Sequence, residues 1–533
     1  MNNKFLLSLV LLFFTSGVIA QSKTDIPISR KLQMSEFLIN KLYVDSLDEG
    51  KLVEAGIQGM LNVLDPHSTY STPEEVKEFK ASIEGGFEGI GVQYQMIQDT
   101  LYVIRTIPKG PSEKAGILAG DRVVAVNDTV IAGVNFSTSK IMKLLRGPRK
   151  STVDLTVVRK GHKDSPLVLT VKRDRIPVES IDASYLISDD IGYIRINQFG
   201  KNTDKEFIAH LKTLKKEGMK SLILDLRGNS GGFLEIAVEI SNQFLDAKQQ
   251  IVSARGESVN IGGFMAKGNG LFKQGKLVVL IDEYSASASE IVAGAVQDWD
   301  RGVIVGRRSF GKGLVQRPID LFDGSMIRLT VARYYTPSGR SIQKPYAKGA
   351  DKRKKYRMDI INRIEKGEMV SQDSIQLVDS LKYTTSVAKR PVYGGGGIMP
   401  DCFVPVDTNS VNNYFYSLLQ DGLMMEIAVK YVEDEGEQIK RDFPSSNEFV
   451  ANYEVSELLL NAIEMSSLAQ EATENDRLIS RPYISHYLKA LMARDIWSMS
   501  AFYQVYNQKD PIVQKGIEVL NSSIYEQVLQ PTF

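Results

Sequence analysis

Between residues 175 and 345, short apolar runs alternate with stretches in which apolar residues recur at helical spacing. A short, continuous apolar run is typical of a buried strand, and recurrence at every third or fourth position is typical of a helix. Strands that alternate with helices characterise α/β layer folds. The pattern therefore predicts an α/β domain over residues 176–345, with strands at 191–196, 222–226, 277–281, 303–305 and 326–335.

Different patterns flank this domain. Residues 21–85 have apolar positions at helical spacing, and Thr72-Pro73-Glu74-Glu75 supplies the cap, proline and acidic residues of a helix start. Residues 86–175 change to short strands, and residues 408–533 return to a helical pattern whose apolar positions indicate packing or dimer contacts. We predict a multidomain α/β protein with helical N- and C-terminal regions.

A charged segment at residues 346–390 follows the predicted domain. It contains the basic run Lys352-Arg353-Lys354-Lys355, but acidic residues such as Asp359 are interspersed, so no binding of nucleic acid or anionic lipid is expected. We interpret the segment as a solvated insertion. Residues 391–407 are predicted to return to the domain.

The first twenty residues have the pattern of a secretory signal. Lys4 precedes an apolar run at 5–14, and Val18-Ile19-Ala20 fits a cleavage site before Gln21. The run is short for a membrane span, which takes about 20 residues, although an uncleaved anchor in the inner membrane is an alternative. Residues 1–20 are therefore predicted to be a cleaved signal peptide.

Composition narrows the chemistry. The 533 residues suggest several domains, and a net charge of +1 gives no reason to expect nucleic acid. The single cysteine, Cys402, excludes an intrachain disulfide framework. Cysteines and histidines are not clustered at metal-ligand spacing, so we expect neither a metal site nor a cofactor.

A serine and a lysine are the candidate catalytic groups. Ser287 lies between the apolar run 277–281 and a helical pattern, which places its hydroxyl at a helix N-terminus, where free N–H groups favour an oxyanion. Lys312 follows within Phe310-Gly311-Lys312-Gly313. A serine nucleophile with a lysine base is a known variant of the Ser/His/Asp arrangement, provided that burial lowers the lysine pKa. The alternative for Ser287 is structural, because Ser287 and Glu290 also fit a helix capping box.

Glycines at a second strand-to-helix turn are candidates for oxyanion stabilisation. Asn229-Ser230-Gly231-Gly232 follows a strand-like run and precedes a helical pattern that begins at 233. Glycine allows positive φ and a close approach of backbone N–H groups to a ligand. A tight turn without any ligand is equally compatible with the residues alone.

A nucleotide-binding loop is a competing interpretation of the lysine segment. Residues 306–313 are one residue short of a P-loop, and the strand at 277–281 with Asp282 and Glu283 imitates its acidic partner. However, Gly313 stands where a Ser or Thr should bind magnesium, and a strand rather than a helix is predicted to follow. We therefore disfavour an ATPase.

The motifs together resemble the carboxy-terminal processing, or tail-specific, proteases. The resemblance spans roughly residues 30–407 and rests on Ser285-Ala286-Ser287-Ala288-Ser289-Glu290, Phe310-Gly311-Lys312-Gly313 with Gln316, the 225–232 segment, Leu64-Asp65-Pro66-His67-Ser68 and the 395–401 segment.

This resemblance implies roles for individual residues. Ser287 would be the nucleophile, Lys312 the general base and Gln316 the residue that orients the lysine. The oxyanion hole would combine the Ala288 N–H with that of Gly231 or Gly232. The family also implies a crotonase- and Clp-like core, a periplasmic location, and a structural rather than catalytic His67.

Residues 86–175 resemble a PDZ domain of the kind found in proteases. Gly89-Ile90-Gly91-Val92 matches the loop whose N–H groups capture a terminal carboxylate, after which the peptide adds as a strand. An ordinary β-turn is the alternative. The expected partners are proteins or peptides with free C-termini. A second copy of the chain is a further expected partner, bound through the helical regions, and an adaptor protein is an additional candidate.

The sequence therefore predicts a periplasmic serine endopeptidase that recognises C-terminal tails through its PDZ domain. The main alternative is a non-catalytic envelope PDZ protein or chaperone, in which Ser287 only caps a helix. Such a protein would retain C-terminal peptides but would cleave nothing.

Overall fold

The computed structural model describes residues 28–83, 85–160, 165–407 and 412–530. The predicted signal peptide at residues 1–20 lies outside these residues. Within them, no helix combines the length and the apolar character needed to cross a membrane.

The N-terminal region is mostly helical. Thr72 caps its third helix, because Glu75 N donates to Thr72 Oγ1 (3.3 Å) and Thr72 N donates to Glu75 Oε2 (3.0 Å). One short strand lies within the stretch predicted to be helical; its three residues are too few to give a period-two signal. The elements are α1 (Ser29–Leu42), α2 (Glu49–Asn62), β1 (Thr69–Ser71) and α3 (Pro73–Ile83).

The next region is a sheet domain on a two-stranded stem. Its sheet has the order β3-β4-β5-β7-β8, with β6 paired to β5, while β2 and β9 form the stem. The elements are β2 (Gly86–Gly89), β3 (Val92–Ile97), β4 (Thr100–Thr106), α4 (Pro111–Lys114), β5 (Arg122–Val126), β6 (Thr129–Val130), α5 (Thr138–Leu145), β7 (Thr152–Val158), β8 (Leu167–Lys172) and β9 (Asp174–Pro177).

The α/β domain follows the predicted pattern closely. Three of its strands have the predicted bounds, and the other two differ by a residue at their ends. The elements are β10 (Ile181–Leu186), β11 (Ile191–Ile196), α6 (Thr203–Lys216), β12 (Ser221–Asp225), α7 (Leu234–Ser241), β13 (Gln250–Arg255), β14 (Asn260–Met265), β15 (Leu277–Ile281), α8 (Ala288–Asp298), β16 (Val303–Gly306), β17 (Leu314–Asp320) and β18 (Met326–Tyr335).

The interpretation of residues 346–390 as a solvated insertion is wrong. Tyr356, Arg363 and Met369 are buried, and Arg363 donates to the carbonyls of Arg308 (2.6 Å) and Ser309 (3.2 Å). Charge alone is misleading here, because buried arginines can be satisfied by backbone carbonyls. The elements of this segment and of the return to the domain are α9 (Ala350–Arg357), α10 (Asp359–Glu365), β19 (Lys382–Thr384), β20 (Pro391–Tyr393) and β21 (Cys402–Phe403).

Two sheets build the α/β domain. The first has the order β10-β11-β12-β15-β16-β21 and is parallel except for the β10–β11 pair. The second is antiparallel, with the order β1-β18-β13-β14 and β17 also paired to β18. The N-terminal strand β1 thus becomes part of the α/β domain. Residues 322–325 form the predicted hairpin turn between β17 and β18.

The C-terminal region contributes to two cores. Helices α11 to α17 have a core of their own, whereas α18 and α19 lie on the six-stranded sheet, on the face opposite α6, α7 and α8. The elements are α11 (Asn413–Asp421), α12 (Leu423–Asp442), α13 (Ser446–Asn452), α14 (Glu457–Glu464), α15 (Ser467–Glu471), α16 (Glu474–Ile496), α17 (Met499–Tyr506), α18 (Pro511–Asn521) and α19 (Ile524–Leu529).

Helix α12 also packs on the sheet of residues 86–175. Ile97 and Ile104 of that sheet contact Val429, and Arg122 Nη2 lies 3.1 Å from Glu433 Oε1 in a largely buried ion pair. The contact joins the two regions through apolar burial and a paired charge.

Candidate active site

Ser287 lies at the sharp turn between β15 and α8. It is the N-cap of α8, with φ 56° and ψ −110°, a conformation that a residue with a side chain rarely adopts. Such backbone strain costs about 1–3 kcal/mol and is concentrated at functional sites. The turn is fixed by Asp282, which accepts from Ser285 N (3.0 Å), and by Ala286 N, which donates to Asn229 O (3.0 Å).

The carboxylate of Glu290 joins the serine turn to the lysine loop. Its side chain is fully buried and accepts four hydrogen bonds. Oε2 accepts from Ser287 N (2.8 Å) and Lys312 N (2.9 Å). Oε1 accepts from Ser309 Oγ (2.5 Å) and Gly311 N (2.7 Å). Burial raises the pKa of Glu290, and these donors oppose that rise. The residue therefore does more than complete the capping box.

The Lys312 side chain is partly buried. Burial lowers its pKa from the usual lysine value, and the nearby Arg328 charge lowers it further, whereas Glu290 and Asp65 oppose the decrease. Nζ donates to Gln316 Oε1 (3.0 Å). Within the described part of the chain, no hydrogen bond joins Nζ to Ser287 Oγ.

Tyr334 holds the serine and lysine segments side by side. Its hydroxyl lies 3.2 Å from Ser287 O and 2.5 Å from Lys312 O. The structure therefore brings together the two residues that the sequence proposed as a pair. A strand, β17, follows Lys312, so this loop lacks the helix on which a P-loop depends.

Gln316 connects the lysine to the N-terminal region. It lies on β17 at an irregularity in the pairing with β18. Its Nε2 donates to the carbonyl oxygen of His67, while its Oε1 accepts from Lys312. His67 N in turn donates to Asp65 Oδ1 (2.8 Å). The orientation of the amide is thus determined by a turn that lies far away in sequence.

Gly231 faces the serine turn. A Cβ on Gly231 would lie 2.8 Å from Ser287 Cβ and 3.1 Å from Ala288 N, so only glycine fits there without a rearrangement. The Gly231 N–H donates to Asn229 Oδ1 (2.8 Å). Gly232 lies beside Phe199, where a Cβ would be 2.2 Å from the Phe199 carbonyl oxygen. Gly231 therefore lies next to Ser287 and Ala288, and Gly232 follows it beside Phe199.

The Gly89–Val92 segment lies at the end of the stem. Gly89 ends β2, Val92 begins β3, and Gly91 has φ 75°. The carbonyl oxygen of Ile90 accepts from Ser112 N (3.0 Å) and Ser112 Oγ (2.7 Å). In the described part of the chain, β3 pairs only with β4, so its outer edge can accept an added strand.

Sequence reasoning missed several contributors to this site. The carbonyl of His67, the hydroxyl of Tyr334 and the link from Glu290 to the lysine loop could not be read from the chain. The S-x-x-E spacing did single out Glu290, but it predicted only the contact with Ser287. Backbone acceptors and long-range hydrogen bonds leave no local sequence pattern.

Comparison with protein-family models covers most of the chain. Residues 190–350 match peptidase family S41, and residues 89–174 match the PDZ domain. Residues 17–75 match the activating protease CtpB N-terminal domain. Residues 414–498 match a family of unknown function.

Similar proteins include a carboxy-terminal-processing protease of Bartonella bacilliformis, 41% identical over 306 residues that cover 56% of this chain and 69% of that protein. The carboxy-terminal processing protease CtpA of Bacillus subtilis is 36% identical over 343 residues, which cover 63% of this chain and 72% of that protein. Among solved structures, a photosystem II D1 C-terminal processing protease is 29% identical and has a TM-score of 0.34, with coverage of 58% of this chain and 89% of that one.

We expect Glu290→Gln to reduce both stability and the reactivity of Ser287. In the glutamine side chain, an NH2 group replaces one of the two carboxylate oxygens. This donor would then face the N–H and O–H groups that donate to Glu290. Loss of such charge-assisted bonds should lower the free energy of unfolding by about 2–4 kcal/mol. Displacement of the serine turn should slow the modification of Ser287 by a fluorophosphonate at least ~100-fold.

Asp298→Asn is the matched control. Asp298 is buried at the other end of α8, where it accepts from Arg340 Nη2 (2.7 Å). This variant should lose comparable stability in denaturant unfolding and keep the wild-type modification rate. Equal modification rates in the two variants would contradict the role given to Glu290.

Proposed function

Because the chain belongs to the carboxy-terminal processing proteases of peptidase family S41, we propose that Ser287 and Lys312 form its catalytic dyad. The protein is a serine peptidase with a PDZ domain. The observation that carries the proposal is the four-donor Glu290 carboxylate, which binds Ser287 N and Lys312 N through the same oxygen. For the core, helices on both faces of the parallel strands support a crotonase- and Clp-like architecture.

In the proposed reaction, Ser287 Oγ attacks the carbonyl carbon of the scissile peptide while neutral Lys312 takes the hydroxyl proton. The resulting ammonium returns the proton to the leaving amine as the C–N bond breaks, which leaves an acyl group on Ser287. Water then attacks the acyl carbon while Lys312 takes a proton from it, and the ammonium passes that proton to Ser287 Oγ as the ester C–O bond breaks, which releases the acid and regenerates Ser287 and neutral Lys312. Gln316 orients the amine through its Oε1.

The Ala288 N–H and the Gly232 N–H are the proposed oxyanion donors. The Gly231 carbonyl accepts from Phe199 N (3.0 Å). In a trans peptide the N–H points opposite to the C=O, so the Gly232 N–H points away from Phe199. The Gly231 N–H is already bonded to Asn229. In this arrangement Gly231, which has no side chain, leaves room for the substrate beside Ser287. The Gly232 N–H is then the second hydrogen-bond donor to the oxyanion.

Replacement of either dyad residue tests the function. Ser287→Ala and Lys312→Ala should each lower the cleavage of an unfolded protein such as casein by at least about 10³-fold. Lys382→Ala, which removes an exposed lysine on β19, is the control and should retain full activity. Because only the neutral amine accepts a proton, the wild-type rate should rise as pH increases through the lowered Lys312 pKa and then level off.

Retained cleavage in either dyad variant would contradict the assignment. A wild-type protein that cleaves nothing but still binds C-terminal peptides would instead favour the non-catalytic PDZ protein.

The PDZ domain is the proposed selector of substrate tails. The loop from Gly89 through Ile90 and Gly91 to Val92 would bind the terminal carboxylate with its N–H groups, and β3 would pair with the preceding residues. The free outer edge of β3 supports this proposal. The substrates would be exported proteins with accessible C-termini.

Gly91→Ala should weaken the binding of a peptide with a free C-terminus to the level of its C-terminal amide, at least about tenfold. At Gly91, φ is 75° and a Cβ would lie 2.9 Å from Ile176 Cδ1. Gly133→Ala is the matched control, since Gly133 has φ 72° with open space around it. Peptide affinity, measured by fluorescence anisotropy, should fall in Gly91→Ala and stay at the wild-type value in Gly133→Ala. An equal loss of affinity in both variants would refute the assignment of this loop.

The N-terminal helices are the proposed dimer contact. Among the residues that the structure describes, helix α1 buries none of its own, and apolar side chains such as Phe37 and Leu42 are exposed on it. Because a helix of this length depends on packing for its stability, we propose that a second copy covers the apolar surface.

Sedimentation equilibrium should find a dimer for the wild type and a monomer for the double variant Phe37→Glu/Leu42→Glu. Lys382→Glu, which reverses the charge of an exposed lysine on β19, is the control and should remain dimeric. A monomeric wild-type protein would exclude this contact.

The proposed location is the periplasm. The pattern at residues 1–20 and the family membership support export with cleavage after Ala20. N-terminal sequencing of the exported protein should begin at Gln21; an intact N-terminus would favour an uncleaved anchor in the inner membrane.

A further inference from the structure

Helix α9 lies beside the turn that holds Gln316. Arg353 Nη2 donates to the carbonyls of Leu61 (2.6 Å), Asp65 (2.7 Å) and Ser68 (2.8 Å). One turn later on the helix, the Tyr356 hydroxyl lies 2.9 Å from His67 Nε2. The helix thus binds both the backbone and the one histidine side chain of the 65–68 turn.

The Tyr356–His67 hydrogen bond joins the phenol to a neutral imidazole. Gln343 Nε2 donates to the Tyr356 hydroxyl (3.2 Å), so the tyrosine proton is free to point at His67. Burial is the largest cause that lowers the pKa of His67, to about 4, so the ring is neutral at pH 7. In the Nδ1–H tautomer of the neutral ring, Nε2 accepts from the Tyr356 hydroxyl, and in the Nε2–H tautomer it donates to that hydroxyl, so either tautomer keeps the contact.

Tyr356 also contacts the loop that carries Lys312. Its ring packs edge-on against Phe310, with centroids 6.0 Å apart. Gln343, which donates to the Tyr356 hydroxyl, accepts from Gly313 N (2.9 Å) through its Oε1. One phenol group therefore lies where the 65–68 turn and the 310–313 loop meet.

We propose that Tyr356 is a positioning residue for the lysine base. It fixes His67, the carbonyl of His67 fixes the Gln316 amide, and the Gln316 Oε1 fixes the Lys312 amine. Tyr356 touches neither of the two reacting groups, and its contact with His67 is the route by which we expect it to act on the amine. The inference rests on the proposed Ser287–Lys312 dyad, and it lies beyond the residues that match the peptidase model, which end at 350.

The charged groups around the amine are distributed over several elements. Arg328 lies on β18, Glu290 on α8, and Asp65 and His67 lie in the turn. Tyr356→Phe leaves all of them in place and keeps the ring that packs against Phe310 and His67. It removes only the hydroxyl, and with it the hydrogen bonds to His67 and Gln343, so the contribution of the His67 contact is isolated by a cycle with a His67 variant.

The test is a double-mutant cycle in the full chain with Tyr356→Phe and His67→Ala. Each single variant should lower kcat for an unfolded protein substrate about 10- to 100-fold without changing KM, because the amine is misplaced and substrate binding is not affected. The double variant should be no slower than the slower single variant, since both changes break the same chain of contacts. If Tyr356→Phe does not fold, kcat and KM are measured for His67→Ala alone, and a lowered kcat with an unchanged KM is expected.

Tyr346→Phe is the control. Its ring packs edge-on against Tyr356, with centroids 6.4 Å apart, and its hydroxyl faces Arg333 rather than the turn. This variant should keep the wild-type kcat. A Tyr356→Phe kcat equal to that of Tyr346→Phe, a change confined to KM, or fully additive effects in the cycle would overturn the proposal.

The dyad variants separate this inference from the proposed function. If Ser287→Ala and Lys312→Ala abolish cleavage while Tyr356→Phe leaves kcat unchanged, only the positioning role is refuted. If the dyad variants retain cleavage, both the dyad and the positioning role are refuted.

Discussion

The buried Glu290 carboxylate is the interaction on which the rest of the site depends. A serine turn and a lysine loop that are separate in sequence must be held in one geometry, and each contributes donors to this carboxylate. Burial of a carboxylate is costly unless its oxygens are satisfied. Here four donors satisfy them, so displacement of either segment would leave a buried charge with missing partners. Separation of the serine turn from the lysine loop therefore carries an energetic penalty, because it would leave the buried Glu290 carboxylate without some of its donors.

The same logic extends to the lysine. Its amine must be buried to lose its proton near neutral pH, and burial removes the water that would otherwise bind it. Gln316 supplies the missing partner, and the orientation of Gln316 depends on the His67 carbonyl. The N-terminal turn is anchored by β1, which pairs with β18, and by Thr330, whose Oγ1 donates to Asp65 Oδ1 (2.9 Å). Lys312 is thus supported by residues on both sides of the PDZ domain in sequence.

The sequence predicted the parts of this arrangement that have local signals. The strand at 277–281 has the predicted bounds because all five of its residues are apolar and buried. Gly231 and Gly232 could be singled out from the sequence, because a strand-to-helix turn in which the backbone approaches a neighbouring segment closely accepts few residues other than glycine. By contrast, Arg353 and Tyr356 lie in a strongly charged stretch, and the pattern could not show which of its side chains turn inward. Their partners are backbone carbonyls and a histidine nearly three hundred positions away, as the Tyr356–His67 separation of 289 residues shows.

The PDZ sheet shows how one element can serve two contacts at once. Leu101 and Val103 of β4 point into the PDZ core with Ile141 of α5, whereas the alternate residue Ile104 packs against Val429 of α12. Successive side chains of a strand point to opposite faces, so α5 and α12 lie on opposite sides of the sheet. We expect that a peptide paired with the outer edge of β3 would extend the sheet and would not have to displace α12, which covers one face of it. The helical domain can therefore hold the PDZ domain while the peptide groove stays accessible.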